Sequence, residues 1–377
     1  METMKVSERT KVWPNIIFFA VTALGAVVGV PFYIARHGVD PFLMAMTVFY
    51  VFATSMSITV GYHRHFSHSA FKATPLVEFL FLFFGAAAYE QSAFYWASQH
   101  RSHHLYVDTD QDPYSIKKGF FYAHIGWLLF WKHPEHFENA GDLQRNRLVM
   151  HQHRYYQLWA AAAGIVMPLL IGYFYGDMGG AFLILVCARL FLVHHATFCI
   201  NSVCHMFGKA TYDIYSSAKD HWLVAFITNG EGYHNFHHRF PGDYRNGVRW
   251  YQWDPSKWLI VLLAKAGLVW DLKRVSGFRI LAARLSAERQ RTEDRLNNMA
   301  LPNLALFRAK LKSHYETAVE TLSEWENCAK AYKQTVVRPR LERYLENRRE
   351  AAFKRMEARR RFRESFHQWK SLLKTCS

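Results

Sequence analysis

Residues 42–68 read FLMAMTVFYVFATSMSITVGYHRHFSH. The stretch Phe42–Tyr62 carries no charged side chain and is long enough for a helix to cross the hydrocarbon core of a bilayer. It then runs without a linker into His63-Arg64-His65-Phe66-Ser67-His68. A span that ends in imidazoles predicts chemistry at the end of a helical bundle, beside lipid.

Working outward, Asn15–Ile34 is a second apolar run of span length. Two more, Tyr156–Tyr175 and Gly179–Ile200, are joined by the turn Gly176-Asp177-Met178-Gly179-Gly180. The pattern predicts an all-α polytopic membrane protein: four transmembrane helices in two hairpins, with a cytoplasmic helical cap holding a di-metal site. The first run is span-length and a second follows at once, so it is read as a retained span and not a cleaved signal peptide. A fifth apolar stretch, Leu76–Tyr89, is shorter than a span and is expected to be a core or interfacial helix.

Basic residues set the expected orientation. Lys5, Arg9 and Lys11 precede the first span, and Arg64, Lys72, Arg101, Lys117, Lys118, Lys132, Arg145, Arg147 and Arg154 lie between the two pairs. Both termini and the histidines are therefore expected on the cytoplasmic side of an integral membrane protein. The expected organisation is a cytoplasmic N-terminus (1–14), a catalytic domain (15–280) and a basic helical extension (281–377).

The extension holds 22 Lys and Arg against 12 Asp and Glu, contributing +10 of the chain's net +16. From Arg338 to Lys374 it reads as an amphipathic helix, with Glu346, Arg349, Arg360, Arg363 and Trp369 among Leu345, Phe353, Met356, Phe362 and Phe366. A solvated helix is the plain reading; the alternative is a surface that attracts anionic lipid headgroups or an acidic electron-transfer partner. Helix breaks are expected at Leu301-Pro302 and Arg338-Pro339. Nucleic acid is not an expected partner of a chain tied to a membrane. The five cysteines, Cys187, Cys199, Cys204, Cys328 and Cys376, form no CxxC pair and read as reduced, packed thiols.

Two further histidine boxes follow the first: His100-Arg101-Ser102-His103-His104 and His234-Asn235-Phe236-His237-His238. On a helix the i, i+3, i+4 spacing puts three rings on one face, able to grip a metal without cysteine. In the first box, a spacing of five does not align His63 and His68 on a straight helix, and His65 is expected to point elsewhere. Eight histidines exceed the four ligands of one zinc and imply two metals. Zinc cannot change oxidation state, whereas an iron pair can take up two electrons and activate O2. The expected centre is an all-nitrogen di-iron site, with no catalytic residues beyond the ligands.

At the third box the chain resembles the membrane fatty-acyl desaturases of the stearoyl-CoA (delta-9) type, over roughly Asn15–Lys257. The residues that carry the resemblance are Gly230-Glu231-Gly232-Tyr233-His234-Asn235-Phe236-His237-His238, the downstream Phe240-Pro241-Gly242-Asp243-Tyr244-Arg245, and Asn201-Ser202-Val203-Cys204-His205. The resemblance implies nine iron ligands: His63, His68, His100, His103, His104, His205, His234, His237 and His238. Asn201 would approach one iron through a water. Asp108-Thr109-Asp110-Gln111-Asp112-Pro113 also matches, and reads as a turn supporting the second box through hydrogen bonds. Trp96 resembles an aromatic beside the acyl tunnel, Lys132 a basic position near coenzyme A phosphates, and Tyr212-Asp213 a pair near the tunnel. Ser98-Gln99 departs from the Arg-Asp pair of the animal enzymes, which weakens the case for coenzyme A and, with no targeting signal seen, favours a bacterial inner membrane.

The implied reaction is O2-dependent insertion of a cis double bond, at carbons 9 and 10, into a saturated acyl-CoA or acyl-lipid. The sequence has no GxGxxG fingerprint, iron–sulfur cysteine cluster or haem-binding His-Pro-Gly-Gly motif, so electrons are expected from an external ferredoxin, rubredoxin or cytochrome b5 with its reductase. The alternative is a histidine-rich di-iron hydroxylase or monooxygenase acting on an acyl chain or alkane. A metal transporter or sensor would instead place ionisable residues along its spans, where only Arg189, His194 and His195 lie deep.

Overall fold

The computed structural model describes residues 8–132, 137–298, 304–337 and 343–374, leaving aside the side chains of 335–337 and 343–347. Lys5, His133-Pro134, both expected helix breaks, Cys376 and the side chains of Leu345 and Glu346 lie outside the described residues. The chain divides into two compact units. One takes the residues up to Ala210 and Ser216–Arg274; the other takes Thr211–Tyr215 and the residues from Val275 on.

The first unit is built from α1 (Trp13–His37), α2 (Pro41–Ser67), α3 (Pro75–Ala86), α4 (Ala93–Tyr106), α5 (Arg147–Arg154), α6 (Tyr156–Tyr175), α7 (Met178–Met206), α8 (Trp222–Ile227), α9 (His234–Arg239) and α10 (Pro255–Lys265). Helices α1, α2, α6 and α7 are long and apolar enough to cross a membrane, so the chain is an all-α polytopic membrane protein. Exposed Ile17, Val21, Leu24 and Val28 recur at helical spacing on α1, the face a lipid-solvated helix presents.

Local chemistry marks the element ends. Asp40 caps α2 by accepting from the Leu43 amide at 2.9 Å, with Pro41 at the first helical position. Between α6 and α7, Gly176 takes the left-handed φ of +90° and Asp177 accepts from the Gly180 amide at 2.7 Å. Helix α3 has only 12 residues and buries Val77, Phe81, Leu82 and Gly85 in the core shared with α2 and α4. It is too short to cross, so boxes one and two can lie together.

Arg189, deep in α7, donates to the carbonyls of Ala87, Gly164 and Leu185 at 2.7, 2.8 and 2.9 Å. It ties the turn after α3 to α6 and satisfies its own guanidinium, a structural use of a buried cation. Two-residue strands close the periphery: β1 (Glu8–Arg9) pairs antiparallel with β3 (Trp131–Lys132), and β2 (Lys72–Ala73) with β4 (Val269–Trp270).

The second unit contains α11 (Gly277–Asn297), α12 (Leu304–Val337) and α13 (Arg343–Lys374). Leu285 and Leu296 of α11, Leu311, Ala318 and Leu322 of α12, and Phe362 and Trp369 of α13 form its core. Trp369 is fully buried and donates its indole N–H to Glu288 at 3.1 Å. Its apolar stripe thus follows the helical period, but Phe353 and Met356 lie off it and stay exposed.

Candidate metal centre

The last turns of α2 are not α-helical. Ser57–Ser67 is a π-helix, and the His68 amide bonds the His63 carbonyl five residues back at 3.2 Å. That widened turn stacks positions five apart, so His63 and His68 converge, where a straight helix would have separated them. His65 leaves the group, its ring nitrogens facing the Phe71 carbonyl at 3.1 Å and Glu78 at 3.0 Å.

Box two lies on α4, capped by Ser92, and box three on the short α9. Gly230 has φ +106°, and a Cβ on Gly232 would run into the backbone of His221 and Ala225. Only glycine on both sides of Glu231 lets the chain pass this close and aim α9 inward.

Two groups of imidazoles result, each with ligand atoms within 4.8 Å of one another: His63, His68, His100, His104 and His237, and separately His103, His205, His234 and His238. All nine residues of the expected ligand set are gathered here. The sequence reading had three rings of a box gripping one metal. Instead the i and i+4 rings of each box serve one group and the i+3 ring the other, because a 300° turn swings that ring to the flank.

The nitrogens that face inward are Nε2. His63 and His237 approach at 2.9 Å, His68 and His100 at 3.0 Å, His104 and His237 at 2.9 Å; in the second group His205 and His234 stand 3.0 Å apart, and His234 and His238 likewise. Several Nδ1 atoms are taken by acceptors outside the groups: Glu231 for His63 at 2.7 Å, Asp112 for His103 at 2.9 Å and the Ser217 hydroxyl for His205 at 2.7 Å. A neutral imidazole donating from Nδ1 presents a lone pair at Nε2. Nine rings converging in two groups, three of them with Nδ1 held from outside, fit two bound cations.

Burial, reinforced by neighbouring histidines, keeps His68, His100, His104, His234, His237 and His238 well below the ordinary imidazole range. Burial raises the Glu231 and Asp112 carboxyls, but the partners that donate to them, His63 and Arg64 for the first and His103 for the second, outweigh it, and both titrate lower than usual. Arg64, fully buried, joins Glu231 at 2.9 Å to Asp254 at 3.0 Å, and Asp254 caps α10. Asp108 accepts from the Ser217 amide at 2.7 Å, so the acidic turn supports His103 directly and His205 through Ser217. That is the supporting role expected of it.

A cavity of about 310 Å³ opens on the centre, with His63, His100, His103 and His234 in its wall and Phe18, Ile58 and Val193 among its apolar lining. Asn201, Trp96 and Lys132 border it; Tyr212 does not, and its segment groups with the C-terminal unit. Trp96 stacks on His100 with ring centres 4.9 Å apart. Its indole N–H donates to Glu90 at 3.1 Å, and the Thr197 hydroxyl of α7 donates to the other carboxylate oxygen at 2.9 Å. Sequence reasoning missed Glu90, Thr197 and the central role of Glu231. An isolated Glu before the Ser92 cap, next to apolar Ala86-Ala87-Ala88, was the one available signal.

A membrane bundle with two histidine clusters opening on a partly apolar cavity defines a class: a polytopic membrane protein with two candidate metal sites. Comparison with known proteins narrows it. The fatty acid desaturase family model matches residues 41–300. The chain is 42% identical over 232 residues to a probable acyl-CoA desaturase of Schizosaccharomyces pombe, covering 61% of this chain and 48% of that protein. It is 39% identical over 274 residues to acyl-CoA desaturase 1 of Saccharomyces cerevisiae, covering 70% and 54%, and 35% identical over 285 residues to human stearoyl-CoA desaturase, covering 72% and 77%. The chain belongs to the fatty acid desaturase family. It spans about half the length of the two yeast relatives. These relatives are eukaryotic, so they lend no support to the bacterial inner membrane expected from the sequence.

Proposed function

We propose that this protein is an O2-dependent fatty-acyl desaturase placing a cis double bond between carbons 9 and 10 of a long-chain saturated acyl-CoA. The observation that carries the reading is the cavity whose apolar wall includes ligand-type histidines of both clusters. The named relatives, acyl-CoA and stearoyl-CoA desaturases, support the substrate class. Overall, the two adjacent methylenes lose two hydrogens as one C=C bond forms, and O2, two electrons and two protons give two waters.

Two irons held by His63, His68, His100, His104 and His237, and by His103, His205, His234 and His238, would supply the oxidising power, with Asn201 adjoining through a water. The residues around them do the positioning. Glu231, Asp112 and Ser217 fix the ring tautomers. Trp96, held by Glu90 and stacked on His100, forms the wall where the reacting carbons pass, and each methylene buried in the cavity adds about 0.8 kcal/mol of binding. Lys132 is exposed and suits a coenzyme A phosphate. The electron donor is an external ferredoxin, rubredoxin or cytochrome b5, and the basic loops favour a cytoplasmic active site.

The test is gas chromatography–mass spectrometry of fatty acids, with double-bond location, from a desaturase-deficient host expressing the protein or His234→Ala with an electron donor. New cis-9 monoenes with the unaltered protein alone support the reading. Hydroxylated chains reassign it to a monooxygenase, and no new lipid with a verified donor overturns it for the chains tested.

A further inference from the structure

The outer face of α13 is arranged differently from its core face. Taking 100° per residue, Arg349, Phe353, Met356, Arg360 and Arg363 fall on one narrow stripe, opposite the buried Ala358, Phe362, Ser365 and Trp369. All five stripe residues are exposed, and Phe353 and Met356 are 60% and 62% so. Between Arg348 and Arg363 the helix carries eight Lys and Arg against Glu350 and Glu357.

The flanking cations are used inside the unit. Arg355 lies 4.2 Å over the Tyr332 ring, Arg359 5.6 Å over Trp325, and Arg361 pairs with Glu324 at 3.2 Å. Those on the stripe turn outward: Arg360 reaches Glu364 only at 3.9 Å, and no acidic side chain of the described residues pairs with Arg349 or Arg363. Two large apolar side chains thus stand in water between outward-facing arginines, along a line about 21 Å long.

We propose that this stripe binds an anionic phospholipid surface, its arginines on headgroup phosphates and carboxylates and Phe353 and Met356 at the headgroup–acyl boundary. Three features favour lipid over an acidic protein. The two apolar side chains are flanked along the helix by arginines, so one stripe offers both insertion at the headgroup–acyl boundary and attraction to anionic headgroups. The line is straight and one residue wide, a shape that meets a plane. The same polypeptide carries four candidate spans, so the extension is covalently tied to a bilayer. The inference does not depend on the reaction proposed above.

The experiment replaces Phe353 with the photo-crosslinking residue p-benzoylphenylalanine in the full chain, reconstituted in nanodiscs of phosphatidylcholine alone or mixed with phosphatidylserine. Adducts are read by mass spectrometry after irradiation, with an acidic ferredoxin added in a parallel sample. The same crosslinker at Leu24, exposed on α1, must label lipid in both discs. The expected result is lipid adduct at 353 in the serine-lipid discs, on the order of tenfold above phosphatidylcholine, lost when Arg349, Arg360 and Arg363 become Gln. Equal or absent lipid labelling at 353, with Leu24 labelled, overturns the proposal. So does crosslinking to the ferredoxin in place of lipid.

Discussion

Trp96 donates its indole N–H to the Glu90 carboxylate at 3.1 Å while its ring lies against His100. An ionisable group in the cavity wall is thereby one side chain removed from the metal-type histidines. Burial pushes Glu90 up to about 7, against the pull of the hydrogen bonds from Thr197 and Trp96.

A pH dependence follows from that position. The folded-state value lies above the ordinary 4.5, so the folded protein holds the proton more tightly. The resulting stabilisation is full below the unfolded value and is lost as pH rises through about 7. Thermal unfolding in detergent should show a midpoint that falls between about pH 4.5 and 7 and levels off above, with a shallower fall in Glu90→Gln. Parallel slopes for the two proteins would refute this.

Glu231 is shared by His63 and Arg64, so Glu231→Gln removes the negative charge and one of the two acceptor oxygens that hold them, and leaves Asp254 as the carboxylate paired with Arg64 beside the Tyr244 carbonyl. The expected outcome is a loss of iron affinity of about 10–100-fold, with the five-histidine group affected first. Iron per chain, measured by inductively coupled plasma mass spectrometry after dialysis against a weak chelator, checks it. Full retention would show that Glu231 serves folding only.

Within box one the histidines separate. His68→Ala should lose iron and product together, because His68 belongs to the five-ring group. His65→Ala should keep both and lose instead the half-buried contacts to Glu78 and the Phe71 carbonyl, at about 1–3 kcal/mol. Equal iron loss in the two variants would contradict the π-helical arrangement.

Gly232→Ala places a methyl group against the backbone of His221 and Ala225, which cannot retract as a side chain could. Destabilisation of about 1–3 kcal/mol is expected, with α9 displaced and iron content reduced. An unchanged melting midpoint would rule out the close approach.

The resemblance named the nine histidines, while spacing alone left His205 open and set His63 and His68 apart. Their alignment needs a π-helix, and no composition signal separates Ser57–Ser67 from an ordinary helical run. In α13 the sequence set Trp369 beside the charged residues and grouped Phe353 and Met356 with Phe362 as apolar; the burial of Trp369 and the exposure of Phe353 and Met356 depend on what α12 covers.

By itself the sequence determined what short-range patterns encode: four charge-poor runs of span length, a basic C-terminal helix and histidines at i, i+3 and i+4. Only the tertiary structure decided how those rings divide between two groups, and that Glu90 meets Thr197, 107 positions away, and Trp96 on one wall. Hydropathy and box spacing repeat along the chain and can be read there. Contacts between distant helices depend on packing angles and the burial of particular polar atoms, which leave no periodic trace in the sequence.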